Sequence, residues 1–470
     1  MALSRTYDTA FKVDWERDIH KFHIGDLRIV LDVNTGSIHV VDKFIWDVLN
    51  ALRRCSGDAA KAAAQLQEYP TQEISKAVEE LEQLSRQKTL FTSDSGLSCW
   101  ENENLEGSSV IKSLCLNVSH DCNMRCGYCF AGDGKFGGTR RLMPLETAKR
   151  AVDFLLKNSG GRRHLEIDFF GGEPLLNKQA VERTVEYGAD RAADFGKKIK
   201  FTVTTNGLLL DDAFTRFADR WEMQVVLSLD GRRETHDGVR LLPDGKGSFD
   251  RVFPRVQRFT QLHTGSYYVR GTFTRKNMDF SRDVLYLFDA GFKHVSVEPV
   301  VAPPEKFGFY DEDVPALEEE YERLAVLLVE RIMQGHFIDF FHFNIDLDGG
   351  TCIPKRIKGC GAGFEYLAVD PNGGLFPCHQ FVGINDFLMG SVVEGFSRDY
   401  LTKKFRSAHI YNKRACTQCW ARYFCSGGCH ANAYIYSGDI MQPFELGCRL
   451  QRKRIECGIY FQIKKRLLRQ

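Results

Sequence analysis

The sequence predicts an α/β protein: an open, partial barrel of six parallel strands, preceded by a small α+β unit and followed by a cysteine-rich domain. Three observations lead there. Between Ile111 and Met333 short apolar runs alternate with amphipathic stretches six times, and strand–helix units in series imply a parallel sheet with right-handed crossovers. Six units rather than eight leave the barrel partial, with ligands gathering at the carboxyl edge of its strands. Closely spaced cysteines begin where the first barrel strand ends and return in the last third of the chain. At 470 residues the chain exceeds what a single core usually spans. The expected divisions are 1–92, a linker at 93–109, the barrel at 110–335 and the cysteine-rich domain at 336–470.

In the first unit, Lys21–His23, Leu27–Val33 and Ser37–Val41 read as short strands, the last two joined by the turn Asn34-Thr-Gly36. Helices are predicted over Lys43–Arg54, Asp58–Gln67 with Asp58 as N-cap, and Thr71–Gln87, where Thr71-Gln-Glu-Ile reads as a helix start. Ser93–Ser109 is polar and fits a linker. The barrel strands are predicted at Ile111–Ser119, His164–Gly171, Lys200–Thr205, Gln224–Asp230, Tyr268–Thr274 and His294–Val300. The helices fall near Leu145–Lys157, Lys178–Ala192, Asp212–Arg220, Asp250–Leu262, Ser281–Ala290 and Leu317–Met333.

Composition narrows the function classes. The formal charge is +1 with 27% charged residues, so nothing points to a nucleic-acid partner. No apolar run reaches membrane-spanning length, and Met1–Ala10 lacks a secretory pattern, so a cytoplasmic protein without a membrane partner is expected. Fifteen cysteines in such a chain indicate metal before disulfide. Cys55, Cys99, Cys115 and Cys457 stand outside the spaced groups and read as ordinary packed thiols.

Cys122-Asn-Met-Arg-Cys126-Gly-Tyr-Cys129 follows the first barrel strand directly. A structural zinc site wants four ligands in paired knuckles, and no fourth Cys or His follows promptly, His120 lying before the run. A disulfide needs an oxidising compartment. Three thiolates at this spacing suit three corners of a [4Fe–4S] cube, leaving one iron open. Later strand ends add polar groups. Phe169-Phe-Gly-Gly-Glu-Pro174 brings Gly171 and Gly172, which let backbone approach a ligand, and Glu173, which can accept from an ammonium group. Thr204-Thr-Asn-Gly207 and Leu227-Ser-Leu-Asp-Gly231 alone would read as tight turns, but at successive strand ends they aim Asn206 and Ser228 over one edge. Arg240 suits a carboxylate. Arg270 and Glu298 either reach substrate or pair inside the barrel.

The last third carries Cys360-x12-Gly373-x4-Cys378, then Cys416-x2-Cys419-x5-Cys425-x3-Cys429, then Cys448. Cys416-x2-Cys419 alone would suit a zinc ribbon; the interleaved spacing does not.

These motifs carry a resemblance. CxxxCxxC with an aromatic residue, Tyr128, before its last Cys resembles the radical S-adenosylmethionine (SAM) superfamily, and Tyr128, Gly171, Gly172, Glu173, Asn206, Ser228 and Arg240 match its SAM-contacting positions. The C-terminal spacing resembles the SPASM domain of peptide-modifying members, which implies that Cys416, Cys419, Cys425 and Cys448 hold one auxiliary [4Fe–4S] cluster and Cys360, Cys378 and Cys429 another, three clusters in all. Cys352 either completes that other cluster or is free, leaving an iron open to a substrate thiolate. The N-terminal unit resembles the winged-helix-like PqqD-type recognition element of RiPP enzymes, so a leader peptide would add to the edge at Ile38, His39 and Val40. A DNA-binding winged helix would need a basic recognition helix, yet this one carries Glu79, Glu80 and Glu82.

Taken whole, the chain is similar to the SCIFF maturases, most tellingly over Ser119–Gly132, Asp168–Asn177, Gly359–Asp370 and Pro377–Val382. That resemblance implies Cys-to-Thr thioether formation in a Cys-rich precursor peptide with a leader, begun by a 5′-deoxyadenosyl radical, with an auxiliary cluster taking the second electron and a ferredoxin- or flavodoxin-type donor supplying the first. The alternatives are an anaerobic sulfatase-maturating (formylglycine-forming) enzyme, which usually lacks the N-terminal unit, and a non-catalytic iron–sulfur peptide-binding protein, which would not need the SAM contacts. No side chain stands out as a catalytic base.

Overall fold

The computed structural model describes residues 10–94, 110–348 and 353–469. Most of the expected linker, Cys99 and Cys352 lie outside them.

The N-terminal unit is an antiparallel sheet of β1 (Ile19–Ile24), β2 (Leu27–Asp32) and β3 (Ile38–Val41), in that order, with three helices, Lys43–Arg54, Ala59–Gln65 and Thr71–Arg86. Asp42 and Asp58 cap the first two helices, accepting from the Ile45 and Lys61 amides. The third starts at Thr71 as predicted, but Pro70 occupies the N-cap position and no side chain caps it. Strand alternation divides the sheet between two cores. Ile19 and Val30 pack with Val48, Leu52, Val78 and Leu81 of the unit's own helices, whereas Phe22, Ile24, Ile29 and Leu31 join the main core. Both faces of β2 are therefore buried, which explains its unbroken apolar run.

The six predicted barrel strands form as a parallel array: β4 (Ser113–Ser119), β6 (His164–Gly171), β7 (Lys198–Thr205), β8 (Gln224–Ser228), β10 (Tyr267–Phe273) and β11 (His294–Pro299). Two-residue pieces β5 (Arg125–Cys126) and β9 (Arg240–Leu241) pair with each other above it. The sheet then grows at both ends. β12 (Asp339–Phe340) pairs in parallel with β11. At the other edge β13 (Tyr366–Val369) pairs in parallel with β4, and β14 (Gly374–Phe376), β15 (Gly390–Ser391) and β16 (Gly395–Phe396) continue antiparallel. The result is an open eleven-stranded sheet.

The C-terminal helix Glu445–Leu467 lies along Val314–Met333 through the Arg449–Glu318 (3.4 Å) and Lys453–Glu322 (2.7 Å) ion pairs. The N-terminal unit is fastened to the cysteine-rich region by a buried side chain, Arg422. Its guanidinium donates to Asp18 (3.0 Å) and Asn34 (2.6 Å), and Trp420 stacks on His20 at 3.6 Å. No helix among the described residues is long and apolar enough to cross a membrane.

Candidate functional site

The loop leaving β4 carries Cys122, Cys126 and Cys129, and neighbouring elements hold it. Cys126 faces Arg240 across the β5–β9 pair, and the Gly127 amide donates to Val239 (2.8 Å). The end of β6 supports it from below. Gly172 donates to the Ser119 carbonyl (2.8 Å) and Glu173 to that of Asp121 (2.9 Å). A Cβ at Gly171 (φ +135°) would collide with the Ser119 carbonyl oxygen, and one at Gly172 with that of Asp121. These glycines therefore admit the cysteine loop, where the sequence had suggested close approach to a ligand.

Burial pushes the Cys122 thiol up to about 12, with Glu173 adding to it, and Cys126 to about 11 against the pull of Arg240; Cys129 is also raised by burial. As bare thiols the three resist ionisation, so binding a metal centre must displace their protons into solvent, its positive charge then holding the thiolates. Among the described residues no group of three His, Cys, Asp or Glu side chains closes on a single ion. The donor set is three thiols, the ligand type of an iron–sulfur cluster, in which each sulfur binds a different iron.

Glu173 is fully buried. It accepts from the Leu175 amide (3.0 Å), the Thr205 hydroxyl (2.7 Å) and the Asn206 amide (2.7 Å). That leaves part of one carboxylate for a donor from outside. Burial raises it to about 7 in spite of those bonds. Asn206 donates to Asn123 (2.8 Å) and reaches towards the Cys122 sulfur at 3.7 Å. Ser228 ends β8, half-buried and opposite Arg270 in register.

Arg240 has a carboxylate partner within the chain, engaged through one of its donors. Its Nε donates to Asp230 (3.0 Å), and its guanidinium lies over the Tyr128 ring at 5.5 Å. Asp230, fully buried, also accepts from the Tyr128 hydroxyl (2.7 Å) and the Thr272 amide (3.0 Å). It ties the cysteine loop, β9 and β10 together. Sequence reasoning took it as the first half of an Asp-Gly turn; its place at a strand end was the available signal.

On the neighbouring strands β10 and β11, Arg270 pairs with Glu298 at 2.7 Å. Burial raises Glu298, but Arg270, with His342 and Arg454, outweighs it and holds the carboxyl at about 2. Three rings link the first cysteine loop to the later ones: Phe130 beside Cys129, Phe170 at the end of β6, and His379 beside Cys378, with Phe170–His379 centroids at 4.9 Å. Tyr366 reaches His379 at 3.1 Å. Neither Tyr366 nor His379 was singled out from sequence.

In the last third, Cys416, Cys419, Cys425 and Cys448 line one cavity with about 450 Å³ of empty space. Its walls come from short helical turns and from the first turn of Glu445–Leu467. Ser426, Gly427 and Gly428 all take positive φ, which reverses the chain between Cys425 and Cys429. Cys378 is buried and its thiol is raised by that burial and then by Cys429 and Cys360 nearby. Cys115 and Cys457 are fully packed, Cys115 near enough to Cys378 to feel its charge.

At the N-terminal unit, a groove with about 720 Å³ of empty space runs between β3 and the helix Thr71–Arg86, floored by Val40, Ile45, Ala77, Leu81 and Leu84 with Asp42 and Glu80 at its rim. Val40 is 50% exposed. The His39 ring is tied back to the Thr89 carbonyl (2.9 Å), so this edge offers backbone more than that side chain. Ile38 is half-buried against the main core.

Comparison with known proteins gives a consistent picture. Residues 116–272 match the profile of the Radical SAM superfamily. The chain is 23% identical over 370 residues to the radical SAM cyclopropyl synthase TigE of Paramaledivibacter caminithermalis, covering 74% of each. It is 26% identical over 349 residues to a cysteine-type anaerobic sulfatase-maturating enzyme of Clostridium novyi, covering 68% of this chain and 89% of the relative. The fold superposes on native anSMEcpe with bound AdoMet (TM-score 0.62, 20% identity, 76% and 99% covered). It also superposes on Streptococcus suis SuiB bound to precursor peptide SuiA (TM-score 0.52, 18% identity, 90% and 97% covered). The β4–β10 core and its cysteine loop thus belong to a Radical SAM superfamily domain.

Proposed function

We propose that the protein is a radical SAM peptide maturase that installs Cys-to-Thr or similar thioether links in a Cys-rich ribosomal precursor peptide. The observation that carries this is the combination, in one chain, of the CxxxCxxC loop, a seven-thiol C-terminal region and an N-terminal groove beside an open strand edge. Units 1–92, 110–335 and 336–470 then serve as leader-binding element, radical domain and SPASM domain.

With a [4Fe–4S] cluster on Cys122, Cys126 and Cys129 and SAM on its open iron, the bound pair supplies a 5′-deoxyadenosyl radical able to take a hydrogen atom from a peptide carbon. The chain's own residues position the reactants. Glu173 and Asn206 present acceptor and donor groups at the strand edge nearest Cys122, and Ser228 lies further along that edge. Arg240, held by Asp230, stacks with Tyr128 and keeps the loop carrying Cys126 in place. The β3 edge can add the leader as a further strand, while Val40, Leu81 and Leu84 take its apolar side chains and Asp42 and Glu80 favour a basic one. The C-terminal thiols fit two auxiliary clusters, and a low-potential electron donor completes the partners.

The sulfatase-maturase reading is favoured by the Clostridium novyi relative. SuiB, with its precursor peptide, matches over 90% of this chain, against 76% for anSMEcpe, which favours the precursor-peptide reading. The test is anaerobic reconstitution with SAM, a reductant and a Cys-rich peptide bearing a leader, read by mass spectrometry. Loss of two hydrogens per link, with a thiol that no longer alkylates, supports the proposal; replacement of the thiol sulfur by oxygen together with loss of two hydrogens, giving an aldehyde, supports the maturase instead. Val40→Pro should weaken leader binding at least tenfold and leave SAM cleavage intact. Unchanged leader affinity would remove the docking assignment.

A further inference from the structure

Lys413 is fully buried next to the C-terminal thiols. Its Nζ donates to the Gly427 carbonyl at 2.9 Å and lies 3.3 Å from Nδ1 of His430. Among the described residues no carboxylate forms an ion pair with it; the titratable groups around it are His430, His409 and the thiols of Cys416, Cys425, Cys429 and Cys448. By the assignment above, Cys429 belongs to one thiol set and the other three to the second. The backbone fixes this position. The Lys413 carbonyl accepts from the Cys416 amide (2.8 Å), Gly427 lines the thiol cavity, and His430 follows Cys429 at the head of the helix His430–Ser437.

A lysine that merely secures the Cys425–Cys429 reversal through Gly427 is the simpler account. Its weakness is energetic. An ammonium buried against one carbonyl and one imidazole is costly, and a neutral donor would make the same hydrogen bond without that penalty. Burial pulls its pKa below the ordinary value while the four sulfurs push the other way. A cation retained there is accounted for by a buried anion, and an iron–sulfur core bound by thiolates carries net negative charge.

We propose that Lys413 is the shared counter-charge of the two C-terminal thiol sets, a positioning residue whose buried ammonium favours their loaded, anionic states and eases the uptake of an electron by either. This rests on the reading that those thiols hold iron–sulfur clusters. Reduction adds one negative charge, and a fixed cation at low dielectric stabilises the reduced form more than the oxidised one.

The experiment isolates the C-terminal centres by replacing Cys122, Cys126 and Cys129 with Ala in the full chain, then compares Lys413, Lys413→Met and Lys413→Arg after anaerobic reconstitution. Iron per chain, the midpoint potentials of the remaining centres and melting with and without metal are measured. The expected result has opposite signs: Lys413→Met melts higher than the parent without metal, gains less on loading and shifts both potentials to more negative values, whereas Lys413→Arg returns the potentials towards the parent. Unchanged potentials in a loaded Lys413→Met protein, or a lower metal-free melting point with normal potentials, would reduce Lys413 to a structural donor. Should Lys413→Met fail to fold, Lys413→Gln keeps the bond to Gly427 and drops the charge. If the parent itself binds no iron, the cluster assignment has failed, and this inference with it.

Discussion

Asp230→Asn tests whether the loop carrying Cys122, Cys126 and Cys129 is held electrostatically. Asp230 and Arg240 have 0% and 10% of their side-chain surface exposed and meet at 3.0 Å. One carboxylate oxygen of Asp230 serves both Arg240 Nε and the Tyr128 hydroxyl, and the other serves the Thr272 amide. An Asn side chain that keeps the Thr272 bond turns its amino group towards Arg240, donor against donor, and leaves a buried guanidinium without its partner. Breaking a buried pair from one side costs about 3–5 kcal/mol. The double variant Asp230→Asn, Arg240→Met removes the orphaned charge and should regain most of that loss, with strong coupling between the two changes. Urea denaturation of the metal-free protein gives the stabilities, and iron per chain after reconstitution reports on the loop. A single-variant cost under about 1 kcal/mol, or a double variant no better than the single, would refute the idea that this ion pair anchors the loop.

Two other changes follow from the same geometry. Glu173 is raised from 4.5 to about 7, so between those values the native state holds a proton that the unfolded chain has released. The metal-free protein should therefore lose stability as pH rises through that window, by ~3 kcal/mol at about 1.4 kcal/mol per tenfold change in proton affinity; Glu173→Gln should flatten the profile, as read by denaturant titration at successive pH values. Arg422→Met removes the bonds to Asp18 and Asn34 but leaves Asp18 paired with Arg17 at 2.7 Å, and should cost about 1.5–3 kcal/mol at the interface. Hydrogen exchange should then speed up over β1 and the β2–β3 turn while the β6–β8 core stays protected.

Much of the architecture was legible because its signals are local. His164–Gly171 and Asp212–Arg220 end where their periodicity and flanking residues say they should, and Asp58 caps its helix as expected. Errors lie where tertiary packing overrides a local rule. Gly171 and Gly172 read as room for a ligand and are occupied by the Ser119 and Asp121 carbonyls instead. The partner that Arg240 has within the chain was not foreseen, since Asp230 is ten residues away in sequence and reaches its Nε only when β8 and β9 are both in place.

The order of residues alone settled the strand–helix rhythm, the thiol spacings and the groups offered at each strand end, because all of these are fixed within a few positions of one another. Which groups would meet was decided by the fold. β13 joins β4 across some 250 residues of sequence, bringing Tyr366 to the barrel and His379 to within ring contact of Phe170. Arg422 finds Asp18 and Asn34 about 400 residues before it, and Lys413 comes to lie among four sulfurs. Burial turns those meetings into large energies, and burial is a property of the packed molecule that no short stretch of the chain specifies.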